Sequence, residues 1–179
     1  MPGRVPQWLS PATQFADYAM WLRQLLGPEA QVPEQQTRYW RTMLDGVPDH
    51  PVLPVDRPRA ERRANTAAAV PVLVDADTHR RFAGTALGYR VSIYMLVHTA
   101  LAIALNGHGA GTDLPIGVAL SGRDSEGLQD VVGCVVDTAV VRVDLSSAPT
   151  YRELVHQVRE RVLGAYENKE FPSIALSRW

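Results

Sequence analysis

The chain has 179 residues, of which 46% are hydrophobic and 21% are charged, and its net charge is -1. This length is typical of one domain with one core, and the composition is that of a soluble globular protein rather than a disordered or membrane protein. A nucleic-acid partner would normally require a basic excess, which this chain lacks.

The first third of the chain predicts two helices followed by an irregular segment. Residues 1–10 are interpreted as an N-terminal extension, because a cap and a first-turn proline precede helically spaced apolar residues over 11–26. A second helix is predicted over 33–46. Prolines recur over 47–63 and exclude a long helix or a central strand there. We interpret the basic residues of this segment as a solvated loop: Arg57, Arg59, Arg62 and Arg63.

The middle of the chain predicts a strand and two capped helices. The β-branched run 68–74 predicts the strand. Asp75 is the expected N-cap of a helix that continues through about Leu87 and is terminated by Gly88. Ser92 is the expected N-cap of a strongly apolar helix that ends at 106–107, and this helix is too short to cross a bilayer, which predicts that it is buried.

The last third predicts two strands and the clearest amphipathic helix. The strands are expected over 114–120 and 134–145, with a polar loop over 121–130 between them. The helix follows Pro149 and places apolar residues on one face. Helices and strands therefore interleave, which predicts an α/β fold in which helices pack on a mixed sheet in two layers.

The residues that could carry chemistry do not form a familiar site. Five dispersed histidines and one cysteine predict no metal centre, and no phosphate-binding glycine motif or nucleophile elbow occurs. Cys134 cannot form an intramolecular disulfide and is expected to be buried, which favours a cytoplasmic setting. His98 is interpreted as a core histidine rather than a general base, and His156 with Glu160 as a surface or packing pair.

Three segments, taken in order, resemble the core motifs of nonribosomal peptide synthetase condensation domains. Residues 15–21, Phe-Ala-Asp-Tyr-Ala-Met-Trp, are similar to the motif Tyr-x-Asp-Phe/Tyr-Ala-x-Trp. Residues 131–142 resemble Ile/Val-Gly-Phe-Phe-Val-Asn-Thr ending in Arg, and residues 167–173 resemble His/Asn-Gln-Asp-Tyr/Phe-Pro-Phe. The resemblance covers roughly residues 11–176, and the order and spacing of the motifs make it specific.

The resemblance implies a fold similar to chloramphenicol acetyltransferase, with two lobes facing each other across a channel. In that family the catalytic His-His-x-x-x-Asp-Gly motif belongs to the N-terminal lobe, and no histidine of this chain has an aspartate four positions later. Residues 11–179 are therefore expected to be the C-terminal lobe, with no catalytic residue of its own and no activity alone. The implied reaction is amide-bond formation between aminoacyl and peptidyl thioesters. The substrates would be carried on the phosphopantetheine of carrier proteins, with no cofactor bound directly.

The resemblance also names candidate site residues. The loop 121–130 would be the floor loop, and residues 133–138 would lie near the channel. Arg123 is expected either to hold the loop through its forked donors or to be an exposed charge. Asp137 stands where the family usually has Asn, and either a solvated strand end or a channel role is open to it. The candidate channel or floor-loop residues are Ser121, Gly122, Arg123, Gly133, Asp137 and Thr138.

The implied partners are the N-terminal lobe and peptidyl carrier domains, with no nucleic acid and no membrane. Self-association through an exposed lobe interface is also expected. Cys134 and Val135 replace the usual aromatic pair of the family. Two alternatives stay open: a non-catalytic condensation-like domain that recruits a partner such as a cytochrome oxygenase, and a lobe of a related carrier-dependent acyltransferase that makes esters.

Overall fold

A computed structural model of the chain describes residues 13–26, 34–48, 53, 55, 67–169 and 171. Across these residues, no single helix is long and apolar enough to cross a membrane, although one helix pair bent by 100° reaches the required length and composition together. The regular elements, in chain order, are α1 (Phe15–Leu26), α2 (Glu34–Leu44), α3 (Ala76–Tyr89), α4 (Ile93–Gly107), β1 (Asp113–Leu120), β2 (Asp137–Asp144) and α5 (Tyr151–Glu167).

The described residues fall into two compact units. The first unit takes in the residues up to Asp45, Gly117–Val140 and the residues from Ala165 onward. The second unit takes in Gly46–Ile116 and Val141–Gly164. The length predicted a single core, whereas the structure has buried residues in each of two compact units.

The helix starts show how local capping fixes element bounds. α1 begins at Phe15 and not at residue 11, since residues 13 and 14 lie outside the helix and the carboxylate of Asp17 accepts a hydrogen bond from the backbone N–H of Gln14 at 2.9 Å. The predicted cap at Ser10 lies outside the described residues. Asp75 and Ser92 cap α3 and α4 as predicted, each accepting a backbone N–H three residues later.

α3 ends two residues later than its prediction. Gly88 was the expected stop, but Arg90 adopts the left-handed conformation with φ 57° and its N–H bonds to the carbonyl groups of Ala86 and Leu87. The backbone therefore obtains its terminal hydrogen bonds without a glycine. α5 begins as predicted with a reciprocal box: the Glu153 carboxylate accepts from the N–H and hydroxyl of Thr150 at 2.8 Å, and the Thr150 hydroxyl accepts from the Glu153 N–H.

β1 and β2 form a two-stranded antiparallel sheet, which confirms the α/β class. A mixed sheet was predicted, but among the described residues the sheet has only this antiparallel pair. In the second unit, the N–H of Leu145 donates to the carbonyl of Thr112. In the first unit, Thr138 lies beside Gly117, so the strands run in opposite directions. β2 begins at Asp137 rather than at residue 134.

The predicted strand over 68–74 is wrong for the described chain. Residues 67–75 have no regular structure, and the side chains of Val72 and Leu73 are 84% and 94% exposed. Strand propensity depends on packing against a neighbouring strand, and Pro71 lacks the N–H needed for one ladder bond. Most of the proline-rich segment 47–63, including its four arginines, lies outside the described residues.

The first unit is organised around a tryptophan. Trp40 is 1% exposed, and its Nε1 donates a buried hydrogen bond of 2.9 Å to the carbonyl oxygen of Asn168. A buried indole N–H needs such an acceptor, since its desolvation would otherwise be uncompensated. This bond joins α2 to the chain just after α5 within one unit.

The second unit has an apolar cluster of Ala86, Leu96 and Val155, with partly buried aromatic and aliphatic side chains packed around it. Its sheet residues carry an ion pair, in which the Arg142 guanidinium donates two hydrogen bonds of 2.7 Å to the Asp113 carboxylate. A bidentate pair of this kind fixes geometry as well as charge.

α4 is only half buried, which corrects the expectation of a fully buried helix. Met95, Leu96, Thr99 and Ala102 are buried, whereas other apolar residues of the helix are exposed: Tyr94, Val97, Leu101 and Ile103. The exposed side chains at 94, 97 and 101 follow helical spacing and share one face. An apolar face therefore remains open on α4.

His98 lies on the buried side of α4 and is 4% exposed, as expected for a core histidine. Among the residues that the structure describes, no group hydrogen-bonds its Nε2, so this nitrogen is buried without a partner. Burial lowers the pKa of the imidazole from its ordinary value because desolvation disfavours the charged form.

The lowered pKa of His98 predicts an acid-sensitive fold. The unfolded chain takes up the proton near pH 6.5 and the folded chain only at lower pH. The contribution of neutral His98 to the free energy of unfolding is therefore fully present above pH 6.5. It is lost as the pH drops toward the folded pKa, by at most about 1.4 kcal/mol per pH unit. The free energy of unfolding, measured by urea titration, should fall less between pH 7.5 and pH 5.5 for His98→Phe than for the native chain. Equal losses in both proteins would contradict this role.

Candidate functional site

The loop after β1 is held by one arginine. The Arg123 guanidinium donates through Nη1 to the carbonyl oxygens of Leu128 (3.0 Å), Gln129 (3.2 Å) and Val131 (2.8 Å), and through Nη2 to that of Gly133 (3.0 Å). Only a planar fork of several N–H groups can satisfy so many acceptors at once. The guanidinium therefore substitutes for the regular backbone pairing that this loop lacks.

Two glycines allow the backbone to pass where a side chain could not. Gly122 has φ +65°, and a Cβ atom there would collide with the backbone carbonyl of Val135. A Cβ atom at Gly133 would collide with the ring of Phe15. Both positions need glycine for space, and Gly122 needs it for its backbone conformation as well.

A cavity of about 350 Å³ opens in the first unit beside this loop. Its size is within the range of small-molecule sites. One wall is formed by α1, and the others by the end of β1, the loop and the start of β2. The lining residues are Tyr18, Trp21, Leu22, Leu25, Leu120, Gly122, Asp124, Ser125, Leu128, Val135, Asp137 and Lys169.

The charged groups of the cavity are two carboxylates and one ammonium group. Lys169 binds Asp124 at 2.7 Å. Asp137, the first residue of β2, accepts a hydrogen bond of 2.7 Å from the Thr138 N–H. Burial, and secondarily the negative charge of Asp137, raises the pKa of the Tyr18 phenol above its ordinary value. Tyr18 therefore presents a neutral hydroxyl at neutral pH.

The structure brings some of the predicted site residues together. Gly122 and Asp137 line the cavity. The Arg123 side chain joins Gly133, while the Arg123 N–H donates to the Ser121 hydroxyl at 3.3 Å. Ser121 and Thr138 are exposed and do not line the cavity. The assignment of these six residues to a channel or floor loop stays a prediction.

Sequence reasoning missed part of this site and misplaced one residue. Tyr18, Trp21 and Lys169 lie inside the recognised motifs, but their membership of the site depends on tertiary packing. Cys134 is exposed and not buried, because β2 begins only at Asp137 and the residues before it are not in the sheet. His156 and Glu160 are exposed, with the His156 ring against Tyr89 and Glu160 bound to Arg159.

The family of this α/β chain is established by comparison with known proteins. The family model for the condensation domain matches residues 6–178, so the chain belongs to the condensation-domain family. A probable non-canonical nonribosomal peptide synthetase from Salinispora arenicola is 38% identical over 95% of this chain, and so is a dimodular nonribosomal peptide synthase from Bacillus subtilis. The chain spans 2% and 7% of the lengths of these relatives.

Solved structures agree with this family. The X-domain from teicoplanin biosynthesis superimposes with a TM-score of 0.84 at 36% identity, covering 94% of this chain and 38% of that chain. The first condensation domain of the CDA synthetase superimposes with a TM-score of 0.74 at 18% identity, covering 98% and 38%. The second likeness shows the fold alone. The predicted resemblance to condensation domains is confirmed.

Proposed function

We propose that this chain is the C-terminal lobe of a nonribosomal peptide synthetase condensation domain and forms part of its substrate channel. In this role it supplies walls, a floor loop and a carrier-protein docking surface for amide-bond formation between carrier-bound thioesters. The observation that carries the proposal is the Arg123-held loop beside the cavity, within a chain of this family. The substrates would arrive on phosphopantetheine, and the lobe alone would be inactive.

The chemistry of the proposal assigns positioning, not proton transfer, to this chain. Attack of an amine on a thioester needs a base or an oriented nucleophile and stabilisation of the oxyanion. No histidine in the chain has the spacing of the His-His-x-x-x-Asp-Gly motif. The central imidazole would therefore come from the N-terminal lobe, and this chain would contribute to holding the reactants in place.

The test is peptide formation by complementation. The chain is mixed with an N-terminal lobe that carries the His-His-x-x-x-Asp-Gly motif, together with a donor and an acceptor carrier protein loaded with aminoacyl thioesters. Dipeptidyl carrier protein, detected by mass spectrometry, should form only when both lobes are present. Product from this chain alone, or no product from a mixture in which the two lobes demonstrably associate, would reject the proposal.

A second candidate is a non-catalytic domain that recruits a partner protein. The observation that favours it is the 36% identity with the teicoplanin X-domain, which was also solved in complex with OxyB. The replacement of the usual aromatic pair by Cys134 and Val135 is compatible with it. Two observations together would favour recruitment over catalysis. One is binding of an oxygenase to this domain with the N-terminal lobe present, and the other is the lack of an intact histidine motif upstream in the same protein. An ester product in the complementation assay would instead indicate an ester-forming acyltransferase.

The open apolar face of α4 predicts self-association of the isolated chain. Tyr94, Val97 and Leu101 are 43%, 52% and 44% exposed on that face, and contiguous exposed apolar surface favours burial against another molecule. Light scattering should give a mass that rises with concentration. The double substitution Val97→Glu with Leu101→Glu should reduce the rise, whereas Gln24→Glu on exposed α1 should not. A single monomeric mass at high concentration would contradict this expectation.

A further inference from the structure

The loop over 121–130 has two cationic contacts of different kinds. The Arg123 guanidinium donates to carbonyl groups of its own stretch of chain, the last of them at Gly133. Asp124, the next residue, is instead bound by Lys169 at 2.7 Å, across 45 positions of the sequence. Arg123 therefore closes the loop on itself, whereas Lys169 connects the loop to a distant part of the first unit.

The backbone beside Lys169 is fixed by the core of the first unit. The carbonyl oxygen of Asn168 accepts the buried hydrogen bond of 2.9 Å from the Trp40 indole, and it also accepts the N–H of Phe171 at 3.4 Å. Asn168 and Phe171 are both buried. A flexible lysine stem can hold a partner in place only if its own backbone is held. The buried residues before and after Lys169 meet this condition.

Both members of the ion pair line the cavity. Asp124 belongs to the wall formed by the loop, and Lys169 belongs to the chain after α5. Their side chains are 56% and 37% exposed, so water and salt reach the pair. A half-exposed ion pair contributes little to global stability, but a pair that joins two walls of a cavity limits the local opening of each.

We propose that Lys169 is a positioning residue that tethers the loop to the Trp40 core through Asp124, with a strength that falls as ionic strength rises. The inference deepens the proposed function and rests on it only for the role of this segment as a floor loop. The condensation-domain motif that residues 167–173 resemble has Gln at the position of Lys169. A neutral amide cannot form an ion pair, so the tether is a feature of this chain that the motif does not supply.

Hydrogen exchange of the full chain, followed by mass spectrometry, tests the tether. Peptides covering residues 121–130 should exchange about threefold to fivefold faster in Lys169→Gln, near the upper end of what one half-exposed ion pair contributes. Lys169→Arg keeps a cation with hydrogen-bond donors and should exchange like the native chain. Arg38→Gln removes an exposed ion pair of the same length, 2.7 Å to Glu34 on α2, and should leave the loop unchanged.

Two further measurements separate the charge interaction from packing of the lysine stem. If the ion pair is the cause, Asp124→Asn should accelerate loop exchange by the same factor as Lys169→Gln, and the double variant should be no faster than either single variant. Raising the NaCl concentration from about 0.05 M to about 1 M should accelerate loop exchange about twofold or more in the native chain, and by less than about 1.5-fold in Lys169→Gln.

Native exchange rates in Lys169→Gln, or additive effects of the two single substitutions, would overturn the tether. Faster exchange in α2 as well would show global destabilisation and would also reject it. If Lys169→Gln does not fold, the native chain decides, because loop exchange that does not rise with salt rejects the proposal.

The outcomes for the tether and for the proposed function are independent. Absence of the charge effect together with successful lobe complementation would reject this inference and leave the proposed function intact. A salt-dependent tether in a chain that fails complementation would count against the proposed function alone.

Discussion

Alanine at position 122 is expected to destabilise the first unit by roughly 3 kcal/mol or more, among the larger effects of a single substitution. Gly122 has φ +65°, which costs a non-glycine residue about 1 kcal/mol or more. The added Cβ atom would also collide with the backbone oxygen of Val135. Backbone atoms cannot move aside as the end of a side chain can, so the loop or the start of β2 must shift.

Urea unfolding measures this loss, and the loop itself supplies a matched control. Gly127 lies in the same loop without a left-handed φ, and an added Cβ atom there would have no other atom within 4 Å. Gly127→Ala should therefore change stability by less than about 0.5 kcal/mol. If Gly122→Ala is too unstable to purify, limited proteolysis of the fresh lysate should show cleavage between residues 121 and 137. A Gly122→Ala chain as stable as the native one would contradict the close approach.

Lysine at position 123 is expected to release the loop although it keeps the positive charge. The guanidinium donates to four carbonyl groups spread from residue 128 to residue 133. A lysine ammonium has three donors on a flexible stem and cannot copy the planar fork. Hydrogen bonds from a charged group contribute about 1.5–3 kcal/mol each but are not additive, so we expect a loss of roughly 2–4 kcal/mol in local stability.

Hydrogen exchange followed by mass spectrometry is the direct measurement, because the loss is local. Peptides covering residues 121–133 should exchange about 30-fold or more faster in Arg123→Lys, a factor that corresponds to roughly 2 kcal/mol, while peptides of α2 should not change. Arg38→Lys is the control, since Arg38 is an exposed residue of the same unit with one ion pair to Glu34. Unchanged exchange in the loop of Arg123→Lys would show that the four bonds do not hold it.

The helices could be predicted because their ends are fixed by adjacent residues. Asp75 and Ser92 each cap a helix through a backbone N–H three positions away, and Thr150 and Glu153 form a reciprocal box. Such contacts depend on the local chain alone. The strand predicted over 68–74 failed for the opposite reason. A strand exists only with a partner, and residues 67–75 have no regular pairing in the described chain.

Some residues of the site could be identified from local sequence motifs, whereas others depend on tertiary contacts. The family motifs drew attention to Gly122, Arg123 and Asp137, all of which lie in or beside the cavity region. Lys169 could not be assigned from the sequence, because its ion pair with Asp124 joins residues 45 positions apart. The burial expected for Cys134 failed because its apolar neighbours were interpreted as part of a strand, and the strand begins three residues later.

The bond between the Trp40 indole and the Asn168 carbonyl joins residues 128 positions apart in the chain. During translation, the partner of Trp40 emerges 128 residues after Trp40 itself. The first unit therefore cannot complete its core early in synthesis, whereas the local contacts of α3 with α4 can form long before. For a polypeptide made from its N-terminus, the residues that follow α5 therefore determine when Trp40 on α2 becomes protected from proteases and chaperones.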